Sequence, residues 1–245
     1  MATYNWSEIK AWGVHVFTAS GILAGFMAVV AITNRDWRTA MAWLLAALLI
    51  DGIDGTLARR FKVKEVLPTV NGKLIDTVVD FTNYAVVPSY FVFVTELAGV
   101  WSLPAALLIL LVSAVYYGLE GMVSDDFYFV GFPVMWNVFV FYLVFVFSLS
   151  ELGNAILIVV FAALHFVPVK FAYPSRATRF KLPTLIATAT ILILMPLIVW
   201  LYPATPYFLK WLAIINLAYF GFLAVFDTFR TTEGDKSIHE EPKDH

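Results

Sequence analysis

One apolar segment of the chain ends Leu49-Ile50-Asp51-Gly52-Ile53-Asp54-Gly55-Thr56-Leu57-Ala58-Arg59, and the next begins Gly72-Lys73-Leu74-Ile75-Asp76-Thr77-Val78-Val79-Asp80. Four carboxylates therefore stand inside, or at the edge of, two apolar helices. A charged side chain at membrane depth is costly unless it is paired or faces a polar cavity. These acids indicate a functional site.

The spacing of the acids predicts that they meet. Asp51 and Asp54 are three residues apart and Asp76 and Asp80 are four apart, so each pair shares a helix face. The short polar connection favours antiparallel neighbours, which bring the two faces together around one point. Four clustered carboxylates cannot all ionise unaided. Because the chain has no cysteine and no pair of histidines at metal-binding spacing, oxygen ligation favours Mg²⁺ or Mn²⁺, and two such ions suit phosphoryl chemistry.

Small residues accompany the acids. Gly52, Gly55 and Ala58 remove bulk from this helix, which lets a large ligand approach the backbone. The alternative is close packing against another helix through small residues. Arg59 can bind a diphosphate with two hydrogen bonds, or it can anchor the helix at the cytoplasmic surface.

The composition indicates a membrane protein. Of 245 residues, 61% are hydrophobic and 14% are charged, with a mean hydropathy of +0.81. Soluble domains carry about one-quarter charged residues. The net charge of −2 gives no basic surface for nucleic acid.

Apolar runs near the length of a membrane span predict an all-α integral membrane protein, a bundle of about eight transmembrane helices. Residues 1–13, with alternating aromatic and polar side chains, predict an amphipathic interfacial helix. We expect residues 1–228 to form the membrane domain and residues 229–245 to form a polar, disordered cytoplasmic tail. The predicted spans are 14–33, 37–59, 74–98, 104–123, 131–149, 153–169, 184–201 and 207–228.

Basic residues predict the orientation. Lys and Arg concentrate in the loops 60–73 and 170–183 and in the tail, whereas the opposite loops carry few beyond Arg35 and Arg38. The positive-inside rule then places both termini and the acid-bearing helix ends in the cytoplasm.

The acids complete a known pattern. Asp-x-x-Asp-Gly-x-x-Ala-Arg followed by Gly-x-x-x-Asp-x-x-x-Asp resembles the signature of the CDP-alcohol phosphotransferase family. Its positions are filled by Asp51, Asp54, Gly55, Ala58, Arg59, Gly72, Asp76 and Asp80. The long gap between Arg59 and Gly72, and later segments such as Gly131-Phe132-Pro133 and Pro168-Val169-Lys170-Phe171, are similar to the bacterial phosphatidylcholine synthase branch.

The resemblance implies transfer of a phosphatidyl group from CDP-diacylglycerol to choline, with release of CMP, in a bacterial inner membrane and by a homodimer. It implies that Asp51, Asp54, Asp76 and Asp80 hold two divalent cations, and that Asp80 is also the general base. The CDP group would then contact Asp51, Gly55, Ala58, Arg59 and Gly72.

Choline requires a site for a quaternary ammonium, which aromatic faces and carboxylates bind. The candidates near the cytoplasmic helix ends are Tyr84, Tyr117, Glu120, Asp126, Tyr128, Trp136 and Tyr173. Lys170, Arg176 and Arg179 are candidates for phosphate binding or for cytoplasmic anchoring. His15 and His165 lie in apolar helices, where structural hydrogen bonding is expected.

Two alternatives remain at this point. The same chemistry can use serine, inositol or glycerol phosphate, for which the basic cluster around Lys170 would serve. A transporter can also carry intramembrane acids, but these are expected nearer the middle of the membrane.

Overall fold

The computed structural model describes residues 5–119, 128–172 and 180–238, and it describes side chains at 5–119, 130–171 and 180–229. Within these residues the protein is an all-α membrane protein with a single two-stranded pair. Six helices are long and apolar enough to cross a membrane, and Trp136–Val146 and Glu151–Leu164 are shorter apolar helices. The eight apolar helices agree in number with the eight predicted segments.

The helices are almost continuous along the described chain. In chain order the elements are α1 (Trp6–Thr33), α2 (Trp37–Arg60), α3 (Val63–Val66), α4 (Gly72–Phe81), a π-helical turn (Thr82–Val86), α5 (Val87–Val94), a 3₁₀ turn (Gly99–Trp101), α6 (Ser102–Tyr117), β1 (Tyr128–Val130), α7 (Trp136–Phe141), a second π-helical turn (Tyr142–Val146), α8 (Glu151–Leu164), β2 (Lys170–Ala172), α9 (Lys181–Leu201) and α10 (Tyr207–Ile238).

The described chain divides into two compact units. The first comprises the described residues up to Ser113 together with Met135–Ala155, and the second comprises the described residues within Ala114–Val134 and Ile156–His245. In the first unit α1 packs along α2 and also contacts α4 and α5. Helix α1 is therefore the scaffold against which both acid-bearing helices are placed.

Polar caps fix where the acid-bearing helices begin. The Asp36 carboxylate accepts a hydrogen bond from the Thr39 backbone N–H at 3.1 Å, and the Asn71 side chain accepts one from Leu74 at 3.1 Å. Each cap satisfies a backbone donor that has no partner within its own helix. The start of α4 at Gly72 sets the position of Asp76 and Asp80 one and two turns further on.

Helix α4 passes into α5 through the π-helical turn without a break. Within that turn Asn83 donates a hydrogen bond to the Gly21 carbonyl of α1 at 3.0 Å, and its side chain is buried. The contact joins α1 to the segment that follows the acids. It is possible because Gly21 presents no side chain there.

The second unit contains the antiparallel pair of β1 and β2, in which Tyr128 pairs with Ala172 and Val130 with Lys170. An aromatic cluster lies beside it, with ring centroids of Phe132 at 4.8 Å from Phe161 and at 5.4 Å from His165. Helices α9 and α10 are joined by the Thr184 and Tyr219 hydroxyls, 3.0 Å apart. Gly131, at φ +84°, makes the turn out of β1, since its missing side chain leaves room for the His165 carbonyl.

Three predicted boundaries are corrected. Residues 6–13 are not a separate interfacial helix, because α1 runs without a break from Trp6 to Thr33 and contains no proline. The predicted disordered tail is helical as far as Ile238, since α10 continues through it, and residues 239–245 lie outside the description. The predicted span 131–149 contains a shorter helix, because Gly131 and Pro133 delay its start to Trp136.

Candidate active site

Three carboxylates converge on one point in the first unit. Asp51 comes from α2, and Asp76 and Asp80 come from successive turns of α4. One oxygen from each lies within 4.8 Å of the others, and all three side chains are half-buried. The predicted meeting of the two helix faces is therefore found for these three acids.

The side chain of Asp54 is directed towards α1 and is not among the three converging acids. Its side chain is buried, with 6% exposed, and it accepts a hydrogen bond from the Thr18 hydroxyl of α1. It does not join the group of three within 4.8 Å, although it acts electrostatically on Asp76. The rotation between residues three apart on α2 directs Asp51 towards α4 and Asp54 towards α1.

The group of three fits a divalent cation. Its donors are carboxylate oxygens alone, the set that Mg²⁺ and Mn²⁺ prefer. Among the described side chains, no ion pair between a Lys or Arg and one of these three acids is found. The half-buried negative charge thus has no basic partner in that part of the chain, which a cation would supply.

The residues predicted to hold CDP lie in the C-terminal half of α2 and at the N-terminus of α4, close to the acids along the chain. No described atom outside its own helix lies within 4 Å of a side-chain carbon placed on Gly52, and on Gly55 the nearest is the flexible Arg59 guanidinium at 3.4 Å. Arg59 is exposed and donates to the Thr56 hydroxyl at 3.2 Å. Ala58 differs, since it packs against the buried cluster of Ala11, Val14 and Val63.

Helix α1 contributes two residues that the sequence did not single out for the site. Thr18 contacts Asp54, and the His15 ring lies against Gly72, 2.8 Å from where a side-chain carbon would stand. His15 is buried, and its Nε2 has no hydrogen-bond partner among the described atoms. The expected structural hydrogen bond is thus absent at that nitrogen. The signal available in the sequence was a polar pair three residues apart in an apolar helix.

The residues predicted for the ammonium group are spread over both units. Tyr84, in the π-helical turn after α4, donates a hydrogen bond to Asp51 Oδ2 at 2.7 Å. Trp136 is fully buried in the first unit and donates to the Ser113 hydroxyl at 3.0 Å. Tyr117 is half-buried at the end of α6. The Tyr128 backbone lies in β1, but its side chain is outside the description, as are Glu120, Asp126 and Tyr173.

Of the residues predicted to bind phosphate, only Lys170 is described. It lies in β2, and its backbone N–H donates to the Thr228 hydroxyl at 2.8 Å. Arg176 and Arg179 lie outside the described residues.

Comparison with known proteins gives a consistent result. A family model described as CDP-alcohol phosphatidyltransferase matches residues 15–167. The chain is 41% identical over 177 residues to the phosphatidylcholine synthase of Rhizobium meliloti (strain 1021), covering 72% of this chain and 73% of that protein. It is 38% identical over 185 residues to the phosphatidylcholine synthase of Agrobacterium fabrum, covering 75% and 76%. The enzyme of that name from Pseudomonas aeruginosa is 39% identical over 175 residues, covering 71% and 73%.

Proposed function

The chain belongs to the CDP-alcohol phosphatidyltransferase family, and we propose that it transfers the phosphatidyl group of CDP-diacylglycerol to choline, giving phosphatidylcholine and CMP. The observation that carries the chemistry is the convergence of Asp51, Asp76 and Asp80 within 4.8 Å. The choice of choline is supported by the name that the relatives share.

Two divalent cations, Mn²⁺ or Mg²⁺, are part of the proposal. Asp51, Asp76 and Asp80 hold them through the converging oxygens, and Asp54 completes the set from the α1 side of α2. When bound, the ions neutralise charge on the diphosphate and on the departing CMP. Thr18 orients Asp54 by its hydrogen bond.

The proposed base is Asp80. A choline hydroxyl is a poor nucleophile at neutral pH, so its proton must leave as the oxygen attacks. The proton goes to the Asp80 carboxylate, the oxygen bonds to the phosphorus of the phosphatidyl group, and the bridging P–O bond breaks to release CMP. The position of Asp80 supports this role, since it is half-buried one turn beyond Asp76 and is one of the three converging acids.

The nucleotide is proposed to lie along the glycine-bearing face of α2. Gly52 and Gly55 leave that face open, and the exposed Arg59 at the helix end can reach a diphosphate with two hydrogen bonds. Gly72 completes the site at the start of α4, and Ala58 supports this end of α2 by packing against α1 and α3.

The acceptor site, the orientation and the assembly complete the proposal. Aromatic faces among the predicted residues, with Tyr117 the described candidate in α6, bind the ammonium group of choline. The enzyme is a homodimer in the bacterial inner membrane. Its acid-bearing helix ends and both termini face the cytoplasm, where Lys170 and the neighbouring arginines contact phosphate or anchor the chain.

The reaction is tested with purified protein in detergent, CDP-diacylglycerol, Mn²⁺ and one alcohol at a time, with CMP release and labelled lipid as readouts. Choline-dependent CMP and phosphatidylcholine are expected. Product with serine, inositol or glycerol phosphate, and none with choline, would keep the family chemistry and overturn the proposed acceptor.

The role of Asp80 is tested in the same assay. Asp80→Asn is expected to abolish most of the transfer, whereas Asp36→Asn, which changes an acid at the opposite end of α2, is expected to preserve the rate per folded molecule. Equal losses in the two variants would contradict the assignment of Asp80.

A further inference from the structure

Tyr84 lies against the carboxylate cluster and not in an open aromatic pocket. Its hydroxyl donates to Asp51 Oδ2 at 2.7 Å, a distance typical of a strong hydrogen bond from a hydroxyl to a carboxylate. Tyr84 as a whole is 6% exposed, so its side chain is enclosed by protein. The contact joins α2, which carries Asp51, to the turn that directly follows α4.

The backbone explains how Tyr84 reaches Asp51. Asp76, Asp80 and Tyr84 follow one another at intervals of four, and Tyr84 falls in the π-helical turn Thr82–Val86. A π-helical turn is wider than an α-helical one and often marks a functional site. The preceding residue, Asn83, donates to the Gly21 carbonyl at 3.0 Å. Two consecutive side chains therefore fasten this turn to α1 and to α2.

We propose that Tyr84 is a positioning residue for the cation site, fixing the rotation of the Asp51 carboxylate through this hydrogen bond. The inference rests on the proposed function, because it takes Asp51 to be a cation ligand. Ligating carboxylates are commonly held by further hydrogen bonds, and loss of such a partner weakens metal binding by about 10- to 100-fold. Tyr84 supplies that partner from the π-helical turn after α4.

This assignment replaces the role in choline binding that the sequence predicted for Tyr84. A ring that binds a quaternary ammonium must present an open face. The Tyr84 ring is enclosed, and its hydroxyl is directed at Asp51. Removing the hydroxyl changes the cation affinity and leaves the choline KM at saturating Mn²⁺ unchanged.

The test is Tyr84→Phe in the full-length protein in detergent, because Phe keeps the ring and removes only the hydroxyl. Mn²⁺ binding is measured without substrates, from the electron paramagnetic resonance signal of free Mn²⁺. The expected result is a Kd for Mn²⁺ raised by about 10- to 100-fold. In the transfer assay, excess Mn²⁺ is expected to restore kcat, while the choline KM stays at the wild-type value.

Tyr116→Phe is the matched control. Tyr116 is also buried, with 4% exposed, and its hydroxyl donates to the Val130 backbone carbonyl at 3.0 Å and not to a carboxylate. The control loses a buried hydroxyl of the same kind, so it is expected to keep the wild-type Mn²⁺ affinity. An equal loss of affinity in both variants would overturn the proposal, since it would reflect general loosening of the fold.

A double variant keeps the test decisive if Tyr84→Phe does not fold. Asp51→Ala, which removes the acceptor, is compared with Asp51→Ala/Tyr84→Phe, because removing both partners of a buried hydrogen bond costs less than removing one. The two proteins are expected to bind Mn²⁺ equally, as coupled residues give non-additive effects. A further loss in the double variant would overturn the inference.

The remaining outcomes separate this inference from the proposed function. Unchanged Mn²⁺ affinity in Tyr84→Phe, or a raised choline KM at saturating Mn²⁺, overturns the positioning role while the wild-type reaction stands. Wild-type protein that binds Mn²⁺ but transfers to no alcohol refutes the proposed function alone. That result leaves the effect of Tyr84 on cation binding measurable, since it is read without substrates.

Discussion

Two pairs of glycines, one in α1 and one in α2, look alike in the sequence and serve opposite purposes. The space beside Gly21 and Gly25 is occupied by side chains of the neighbouring segment. A side-chain carbon on Gly21 would stand 2.7 Å from Val79 Cγ1, and one on Gly25 would collide with the Asn83 amide oxygen. Gly52 and Gly55 instead face open space and the flexible Arg59 side chain. The first pair forms a packed seam, and the second forms an open seam.

The difference shows that small residues at helical spacing have two separate causes. In the packed seam they let α1 approach α4 and the turn that follows it, as in close helix packing within membranes. In the open seam they leave a face of α2 uncovered beside the carboxylates, where a ligand can lie. Substitutions in the packed seam should therefore affect stability, and those in the open seam should affect activity.

The largest effect is expected beside the open seam. Asp80→Asn removes the proposed base, so the transfer rate should fall by about 10²- to 10⁴-fold. The apparent midpoint of thermal unfolding should not fall, because the change relieves repulsion among clustered carboxylates. Radiolabelled lipid and the fluorescence of the eight tryptophans give the two readouts. A large loss of stability would mean that this region is part of the packed scaffold.

The second prediction compares a glycine-to-alanine substitution in the packed seam with the same substitution in the open seam. Gly25→Ala should destabilise the protein by about 1–3 kcal/mol, because the added methyl group displaces Asn83. Gly52→Ala should leave stability unchanged or raise it by up to about 1 kcal/mol, since alanine favours the helix. Tryptophan fluorescence during unfolding in detergent measures both. Similar destabilisation in the two variants would remove the distinction between the seams.

A smaller effect sharpens the role of the open seam. Gly55→Leu places a side chain on the proposed nucleotide face, so the affinity for CMP should fall about tenfold, equivalent to about 1.4 kcal/mol. The free energy of unfolding should be unchanged, because the nearest atom to the added side chain belongs to the flexible Arg59 guanidinium. Isothermal titration with CMP and Mn²⁺ provides the measurement. Full CMP affinity in a folded Gly55→Leu protein would place the nucleotide elsewhere.

The smallest effect concerns Asp36, the acid that caps the start of α2 and lies outside both seams. Hydrogen bonds from Thr39, first from its side chain and then from its backbone, lower the pKa of Asp36 below the ordinary 3.8. Its stabilising contribution is therefore complete above pH 3.8 and is lost as the pH falls through the lower folded value. Asp36→Ala should cost about 1 kcal/mol of stability with the same activity per folded molecule. The unfolding midpoint, followed against pH, should show that difference shrink in acid.

Much of the molecule could be predicted from the sequence because the relevant signals are local. The eight apolar runs agree in number with the apolar helices of the described residues. The spacing of the four acids predicted that they meet, which the structure shows for Asp51, Asp76 and Asp80 and not for Asp54. Helix ends were less certain, since hydropathy does not register a positive φ at Gly131 or a continuous helix across residues 6–13. The roles of Arg59, Gly72 and the residues proposed for choline stay predictions.

The sequence by itself determined that the protein lies in a membrane, that it carries the family signature, and that the candidate metal ligands are carboxylate oxygens. Composition and the spacing of residues within one helix are sufficient for these three conclusions. Only the tertiary structure decided which glycines pack against a neighbouring segment, that Asp54 is directed at Thr18, and that Tyr84 contacts Asp51. These facts depend on the facing surface of another helix and on the wider turn at Thr82–Val86. Neither the facing surface nor the wider turn produces a periodic pattern in the sequence, so both are visible only in the three-dimensional structure.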